Sequence, residues 1–358
     1  MDTAKTSEPV CAEDMVVEPE GMETPAAAPP LAPGLPAGVF APGTGMLRAL
    51  RHRNYRLFWT GNFLSNIGTW MHHTALGWLV LQMTNSPFLL GLVGFAQFVP
   101  ALLFSLPGGV IADRVNRRRW LLGTHAAMLL LATTLALLVS FEKITYAEIL
   151  ALTFLLGTTS AVNAPAYQAM VRDLSSREDV LNAIALNSMQ FNSSRFIGPA
   201  VAGILVSTVG VAICFYVNAW SFLAPLIALS LVRYGVTPHP HDGSLFEGLR
   251  EGFRYLWSHG QIRLLVGIVA MTSLFGLPYL IFLPVLARDV LQVGARGLGF
   301  MMSASGAGAL LGALVLATWK HHWRRGPLVL GGTLLFFSSV LLLALSKDYF
   351  VSMALLVV

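Results

Sequence analysis

The stretch of this chain that decides its fold is Gly109-Val110-Ile111-Ala112-Asp113-Arg114-Val115-Asn116-Arg117-Arg118-Arg119. It lies between two long apolar runs, residues 88–111 and 120–141. A helix of about 20 apolar residues crosses the ~30 Å hydrocarbon core of a bilayer, and each run has that length. Because arginine and aspartate side chains are costly in hydrocarbon, the charged stretch is predicted to be a tight loop at one membrane face.

The composition also indicates a membrane protein. Of the 358 residues, 55% are hydrophobic and 11% are charged, whereas a soluble domain has about 25% charged residues. Basic residues are concentrated in short loops, which is a membrane topology signal and not a nucleic-acid patch. Cys11 lies in a polar tail and Cys214 in an apolar run, so neither a disulfide nor a metal site is expected. The predicted fold class is an all-α membrane protein.

Apolar runs recur along the chain and predict nine full transmembrane helices and the start of a tenth. The predicted helices are 57–80, 88–111, 120–141, 147–169, 181–208, 211–232, 262–287, 298–319 and 327–345, with a tenth beginning at Tyr349. The loops on the side of the first helix's start hold 17 Lys and Arg residues, and the opposite loops hold 4. Since Lys and Arg mark the cytoplasmic side, the amino terminus is predicted to be cytoplasmic.

Four regions are predicted. Residues 1–45 form an acidic cytoplasmic tail rich in Pro and Ala, which is expected to be disordered. Residues 46–232 hold six helices, and residues 262–358 hold an incomplete second set that is interpreted as a parallel repeat. The link 233–261 contains a capping-box pattern, Ser244-Leu245-Phe246-Glu247, that predicts an amphipathic helix on the inner membrane surface.

The charged loop has the spacing G-x-x-x-D-R-x-x-R-R, formed by Gly109, Asp113, Arg114, Arg117 and Arg118. This pattern resembles the loop between helices 2 and 3 of the major facilitator superfamily. The resemblance implies a fold of two six-helix repeats, a glycine that lets helices pack closely, and a cytoplasmic latch between the halves made by the aspartate and the arginines. An ordinary positive-inside loop would explain the arginines but not Gly109 and Asp113 at these spacings.

A second motif lies in the fifth predicted helix. Gly198-Pro199-Ala200-Val201-Ala202-Gly203 resembles the antiporter motif G-P-x-x-G-G of drug–proton exporters in this superfamily, with Ala202 replacing one glycine. Proline weakens a helix and small residues let a neighbour approach, so Gly198, Pro199 and Gly203 are expected to permit bending. Residues 163–166 and 182–188 are similar to the siderophore-exporter branch of the superfamily.

Polar residues inside the predicted spans are the candidates for substrate contact. On the first helix they share an arc of about 120° and are Asn62, Ser65, Asn66, Thr69, His72 and His73. This stripe either lines an aqueous cavity that holds substrate or makes hydrogen bonds between helices. Arg195 on the fifth helix either binds an anionic substrate or gates a proton carrier, or it is a structural charge satisfied by its neighbours.

These features predict a secondary active transporter that exports a drug or siderophore-like molecule, coupled to protons, across the bacterial inner membrane by alternating access. Since no Asp or Glu lies deep in a predicted span, His72 and His73 are the candidate proton carriers. A monomer is expected, with substrate, protons and lipid as partners and no cofactor. The sequence has no phosphate-binding loop that would indicate ATP use, and it has no nucleophile–base pair that would indicate enzymatic activity. The alternatives are a solute importer of the same fold and a non-transporting membrane protein.

The last predicted helix is short. Ten residues, Tyr349 to Val358, extend about 15 Å as a helix, which is half of the hydrocarbon core. Because the resemblance implies twelve helices, we expect this chain to be truncated and unable to transport as it stands.

Overall fold

The computed structural model describes residues 47–235, 250, 254–276, 278–318 and 325–358. The predicted tail 1–45 lies outside these residues, and so does most of the link 233–261 with its capping-box pattern. The regular structure of the described ranges is helical, as the sequence predicted.

Each predicted apolar run coincides with a helix to within four residues at each end. After a 3₁₀ turn at Arg48–Arg51, the helices are α1 (Arg53–Thr84), α2 (Pro87–Arg114), α3 (Arg117–Ser140), α4 (Tyr146–Asp173), α5 (Val180–Thr208), α6 (Ala212–Leu231), α7 (Gly260–Val290), α8 (Gly294–Thr318), α9 (Arg325–Leu345) and α10 (Tyr349–Val357). In the described part of the chain, seven of them, α2–α4 and α6–α9, are long and apolar enough to cross a membrane. α1 and α5 are 32 and 29 residues long, but their polar residues lower their mean hydropathy.

Proline interrupts two helices that the sequence predicted to be continuous. α6 breaks at Phe222, because Pro225 has no N–H to donate to the carbonyl of Ser221. α7 contains π-helical turns beside Pro278 and Pro284, since each proline removes a backbone donor from the helical ladder.

Polar caps fix where several helices begin. Ser86 begins α2 and Asn116 begins α3, and each side chain accepts a hydrogen bond from the backbone N–H three residues later. Thr145 and Glu148 form a capping box at the start of α4. Each cap satisfies N–H groups that have no partner within the helix, so these short loops have defined exits.

Small residues set the closest helix contacts. Where α2 meets α4, a Cβ added at Gly108 would lie 2.8 Å from the Cα of Val162. At Gly109 the nearest atom is the Cβ of Pro165 at 3.9 Å, an ordinary van der Waals distance. The close packing expected of Gly109 therefore occurs at Gly108, because successive residues of a helix face different directions.

Candidate functional site

A cavity of about 690 Å³ lies between α1, α3, α4, α5 and α6. Four residues of the predicted α1 stripe line it, namely Asn62, Ser65, Asn66 and Thr69. They recur at intervals of three and four residues, which places them on one face of α1. The polar residues that other helices add are His125, Ser160, Asn163, Tyr167, Gln168, Arg172, Asn187, Ser188 and Asn192.

α4 provides a polar face that the sequence reasoning missed. Ser160, Asn163, Tyr167, Gln168 and Arg172 all line the cavity. Their spacing of three, four, one and four residues is that of one helix face. The periodicity that identified the α1 stripe was therefore present in α4 as well and would have identified these residues.

Contacts between α3 and α4 hold two of the lining side chains in place. Asn163 Nδ2 donates to Thr124 Oγ1 at 2.7 Å, and His125 Nδ1 lies 2.8 Å from the carbonyl oxygen of Leu121. Since a carbonyl oxygen only accepts hydrogen bonds, Nδ1 carries the hydrogen. The neutral ring then leaves Nε2 as a hydrogen-bond acceptor on a side chain that lines the cavity.

The side chain of Tyr167 on α4 contacts residues of both α5 and α1. Its hydroxyl donates to Asn187 Oδ1, and its ring centroid lies 5.1 Å from that of Phe58. The described lining as a whole presents amides, hydroxyls, an imidazole and the guanidinium of Arg172, and it contains no carboxylate. Such a lining suits a polar molecule that is neutral or anionic.

His72 and His73 do not line this cavity, although the sequence placed them on the same stripe. His72 is buried and its ring lies 5.2 Å from that of Phe215. The reason is the approach of α5 to α1: a Cβ added at Gly198 would lie 2.6 Å from the Cβ of Trp70. α5 therefore closes the cavity along α1 before the level of the two histidines is reached.

Arg195 lies in a second pocket, so the single cavity predicted for the α1 stripe and Arg195 is divided in this structure. The pocket has a volume of about 460 Å³ and is formed by α5, α7, α8, α9 and α10. Arg195 Nη2 donates to Ser305 Oγ at 2.7 Å, and the hydroxyl of Tyr279 lies 2.6 Å from the same oxygen. Tyr279 and Ser305 escaped the sequence reasoning because they lie in largely apolar segments, where one tyrosine or serine is weak evidence for a site.

Arg117 joins the charged loop to two other segments. Its guanidinium lies 2.8 Å from the carboxylate of Asp173 at the end of α4 and 3.2 Å from that of Asp113. Tyr234 donates to the same Asp173 oxygen at 2.6 Å. Burial, reinforced by the adjacent Asp173 carboxylate, raises the pKa of Tyr234 to about 12, so the hydroxyl is a donor at neutral pH. Asp173, which belongs to no loop motif, is thus the acceptor shared by these groups.

Arg118 binds the end of α6. Its Nε and Nη2 donate to the carbonyl oxygens of Leu229 and Ser230 at 2.7 and 2.8 Å, which satisfies carbonyls that have no partner at a helix end. Arg114 is exposed. In the part of the chain that is described, the loop side chains make these contacts with α4 and α6, and a latch onto residues 262–358 stays a prediction.

The glycine–proline motif places α5 between two helices. Gly198 faces α1, whereas a Cβ added at Gly203 would lie 2.8 Å from the Cα of Gly299 on α8. Pro199 has no N–H to bond the carbonyl of Arg195. In the turn before this proline, Ser303 Oγ of α8 donates to the carbonyl of Phe196 at 2.7 Å. Bending of α5 at the motif stays a prediction.

Comparisons with known proteins agree with this architecture. A family model described as transmembrane secretion effector matches residues 44–358. The chain is 31% identical to the staphyloferrin A transporter of Staphylococcus aureus over 263 residues, which cover 73% of this chain and 66% of that protein. It is 30% identical to the enterobactin exporter of Shigella boydii over 291 residues, which cover 79% of this chain and 68% of that protein. The chain therefore spans about two thirds of the length of these relatives.

A solved structure has the same fold. The bacterial homolog of the human lysosomal transporter Spinster, inward-facing and occupied, matches with a TM-score of 0.65 at 16% identity, covering 86% of this chain and 70% of that one. The apolar helices and the relatives indicate an integral protein of the bacterial inner membrane, from a family whose members are transporters and not enzymes. The chain belongs to the transmembrane secretion effector family of the major facilitator superfamily.

Proposed function

We propose that this protein exports a polar, oxygen-rich small molecule of the siderophore type. The observation that carries the proposal is the 690 Å³ cavity with its lining of amides and hydroxyls and without a described carboxylate. Ligand pockets have volumes of about 300–1,000 Å³ and a few polar groups that fix the orientation of the ligand. The two relatives named above carry siderophores in their names, and one of them is an exporter.

Transport in this proposal is alternating access between two parallel repeats. Residues 46–232 form the first repeat, with the cavity inside it, and residues 262–358 belong to the second, after the link 233–261. The amino terminus is cytoplasmic, and nine full transmembrane helices and the start of a tenth belong to the chain, which acts as a monomer. The close packing of α5 on α8 supports this layout, because it joins the two sets of helices at a weakened turn.

Coupling to protons is part of the proposal. His72 and His73 are candidate carriers because they are histidines inside a span, and each Nδ1 is buried without a hydrogen-bond partner among the described residues. His125 joins them because its ring lines the cavity. A histidine in that position can exchange a proton in contact with the substrate.

Efflux from cells tests the function. The 358-residue chain, extended by the last helices of a related exporter, is produced in a bacterial strain that lacks its own siderophore exporters, with the unextended chain produced beside it. The enterobactin and staphyloferrin A released into the medium are measured. We expect release to rise with the protein and to fall for Asn163→Leu, with Ser207→Ala, an exposed change outside the cavity, as the matched control. Uptake in place of release would identify an importer, and no movement by correctly inserted protein would contradict transport of these molecules.

A further inference from the structure

Arg195 is a charged side chain whose contacts come from three other helices. It projects from α5, donates to Ser305 of α8 at 2.7 Å and lies 3.5 Å from the hydroxyl of Tyr279 on α7. Its guanidinium carbon lies 5.7 Å from the ring centroid of Trp70 on α1. The cation is therefore enclosed by two neutral hydroxyls and an aromatic ring.

These neighbours leave the charge of Arg195 uncompensated. Within the described ranges no carboxylate lies at ion-pair distance from it. Its Nε is buried and has no hydrogen-bond partner there. A positive charge inside a membrane span is expensive and is normally paired, and a buried donor without an acceptor adds to the cost. An anionic ligand would remove both costs.

The lining of the pocket beside Arg195 suits such a ligand. The pocket has a volume of about 460 Å³, and Arg195, Tyr279 and Ser305 form a polar part of its wall. The rest of the wall is apolar except for Ser339 and includes Phe336 and the small residue Gly312. The ring of Phe336 packs edge-on against Tyr279 at 6.0 Å. A cationic end and an apolar, partly aromatic body match an amphipathic organic carboxylate.

We propose that Arg195, Tyr279 and Ser305 form a binding site for the carboxylate of an amphipathic organic anion. Guanidinium presents parallel N–H donors that match the two oxygens of a carboxylate. The Nε–H of Arg195, which has no acceptor among the described residues, and one hydroxyl hydrogen of the Tyr279–Ser305 pair are the donors available to it. The other hydroxyl hydrogen lies in the 2.6 Å bond between Tyr279 and Ser305. This inference rests on the proposed export function, because it states that the exported substrates carry a carboxylate group.

The Arg195 site is separate from the 690 Å³ cavity, and its residues come from distant parts of the chain. Arg195 belongs to the proposed first repeat, whereas Tyr279 and Ser305 belong to the proposed second. A carboxylate bound here is held by helices from both repeats. It therefore contacts the two parts whose relative movement alternating access requires.

Binding to the purified full chain in detergent tests the site. The probes are benzoate and its neutral isostere benzamide, titrated by calorimetry and by the fluorescence of Trp70, with Trp70→Phe as the spectroscopic blank. We expect benzoate to bind at least about tenfold more tightly than benzamide, as the loss of a charged hydrogen bond implies. Arg195→Gln should lose at least that factor, and Arg195→Lys should lose less because it keeps the charge. Arg177→Gln, at an exposed arginine that lines neither cavity, should bind benzoate like the wild type.

Equal affinity for benzoate and benzamide, or unchanged benzoate binding by Arg195→Gln, would overturn the site. If Arg195→Gln does not fold, the double variant Tyr279→Phe with Ser305→Ala keeps the charge and decides the question: a loss of about fivefold or more supports the site, and unchanged binding overturns it. Decanoate serves as the lipid-like arm. Arg195-dependent binding of decanoate without benzoate would assign the pocket to a bilayer fatty acid and overturn the substrate role.

The two proposals fail separately. Benzoate binding that depends on Arg195 in a protein that moves no siderophore would leave the site standing and contradict the export function. Export in the absence of Arg195-dependent benzoate binding would leave the function standing and remove the site.

Discussion

At the scale of single residues, the two carboxylates around Arg117 have different surroundings. The side chain of Asp113 is 53% exposed and that of Asp173 is 17% exposed. Exposed ion pairs contribute about 0–1 kcal/mol, whereas hydrogen bonds to a charged group that is shielded from water contribute more. Because Asp173 also accepts from Tyr234, the carboxylate outside the loop motif is the stronger anchor.

We therefore expect Asp173→Asn to lower the free energy of unfolding by about 1–3 kcal/mol and Asp113→Asn to lower it by less than about 1 kcal/mol. Thermal unfolding of the purified variants in detergent measures both. A larger loss for Asp113→Asn would show that an interaction of Asp113 outside the described residues dominates.

Asp179 ties the segment before α1 to the loop between α4 and α5. Its carboxylate lies 2.8 Å from Arg48 Nε and 2.8 Å from His52 Nε2 and accepts from Ser176. The pKa of Asp179 is lowered, chiefly by the hydrogen bond to His52 and further by the hydrogen bond from Ser176 and the positive charge of Arg48. A carboxyl with a lowered pKa in the folded state stabilises the protein above its unfolded pKa of about 3.9, and this contribution is lost as pH falls through the folded pKa.

Asp179→Asn should accordingly lower the melting temperature at neutral pH, and the difference from the wild type should shrink as the pH falls below about 4. Melting temperatures measured across this range check the prediction. Glu178→Gln is the control, because the Glu178 side chain is 79% exposed and its pair should contribute little. A melting-temperature difference between Asp179→Asn and the wild type that does not change with pH would show that the negative charge of Asp179 is not the source of the stabilisation.

At the scale of elements, α5 packs against helices from both sets, α1 of residues 46–232 and α8 of residues 262–358. Gly198 packs on α1 and Gly203 on α8. A Cβ added at Gly299 would lie 2.5 Å from the carbonyl oxygen of Pro199 and 2.6 Å from the Cα of Gly203. Since backbone atoms cannot move aside as a flexible side chain can, this contact tolerates no side chain.

Gly299→Ala is expected to destabilise the protein by about 1–3 kcal/mol, the usual cost of overpacking, and to reduce efflux. Gly123→Ala in α3 is the matched control, because nothing lies within 4 Å of its added Cβ and the residue lines neither cavity. Alanine there should be neutral or stabilising by up to about 1 kcal/mol. Thermal unfolding and efflux of both variants test the contact, and equal behaviour would mean that α8 moves freely relative to α5.

At the scale of the whole molecule, the orientation in the membrane follows from the loops. Lys143 is exposed before α4 and Arg177 is exposed after it, so the two lie at opposite ends of one helix. In the proposed topology Arg177 is cytoplasmic and Lys143 is periplasmic. Ser244, which also bears on this orientation, lies outside the described residues.

We expect Lys143→Cys, and not Arg177→Cys, to react with an impermeant thiol reagent added to intact cells. The background carries Cys11→Ser and Cys214→Ser, and permeabilised cells confirm that both introduced thiols are reactive. If only Arg177→Cys were labelled from outside, the protein would have the opposite orientation, and the inference drawn from the Lys and Arg distribution would be wrong.

The sequence by itself determined the helices and the polar stripe of α1. Both depend on local properties: the length of an apolar run, the cost of charge in hydrocarbon, and the 3.6-residue period that places Asn62 and Thr69 on one face. Only the tertiary structure decided which residues share a site. It put Arg195 in a second pocket, excluded His73 from the cavity through the approach of Gly198 to α1, and gave Arg117 its partner Asp173. The physical reason is that a helix fixes the direction of its own side chains, whereas the depth and rotation of neighbouring helices fix what those side chains meet.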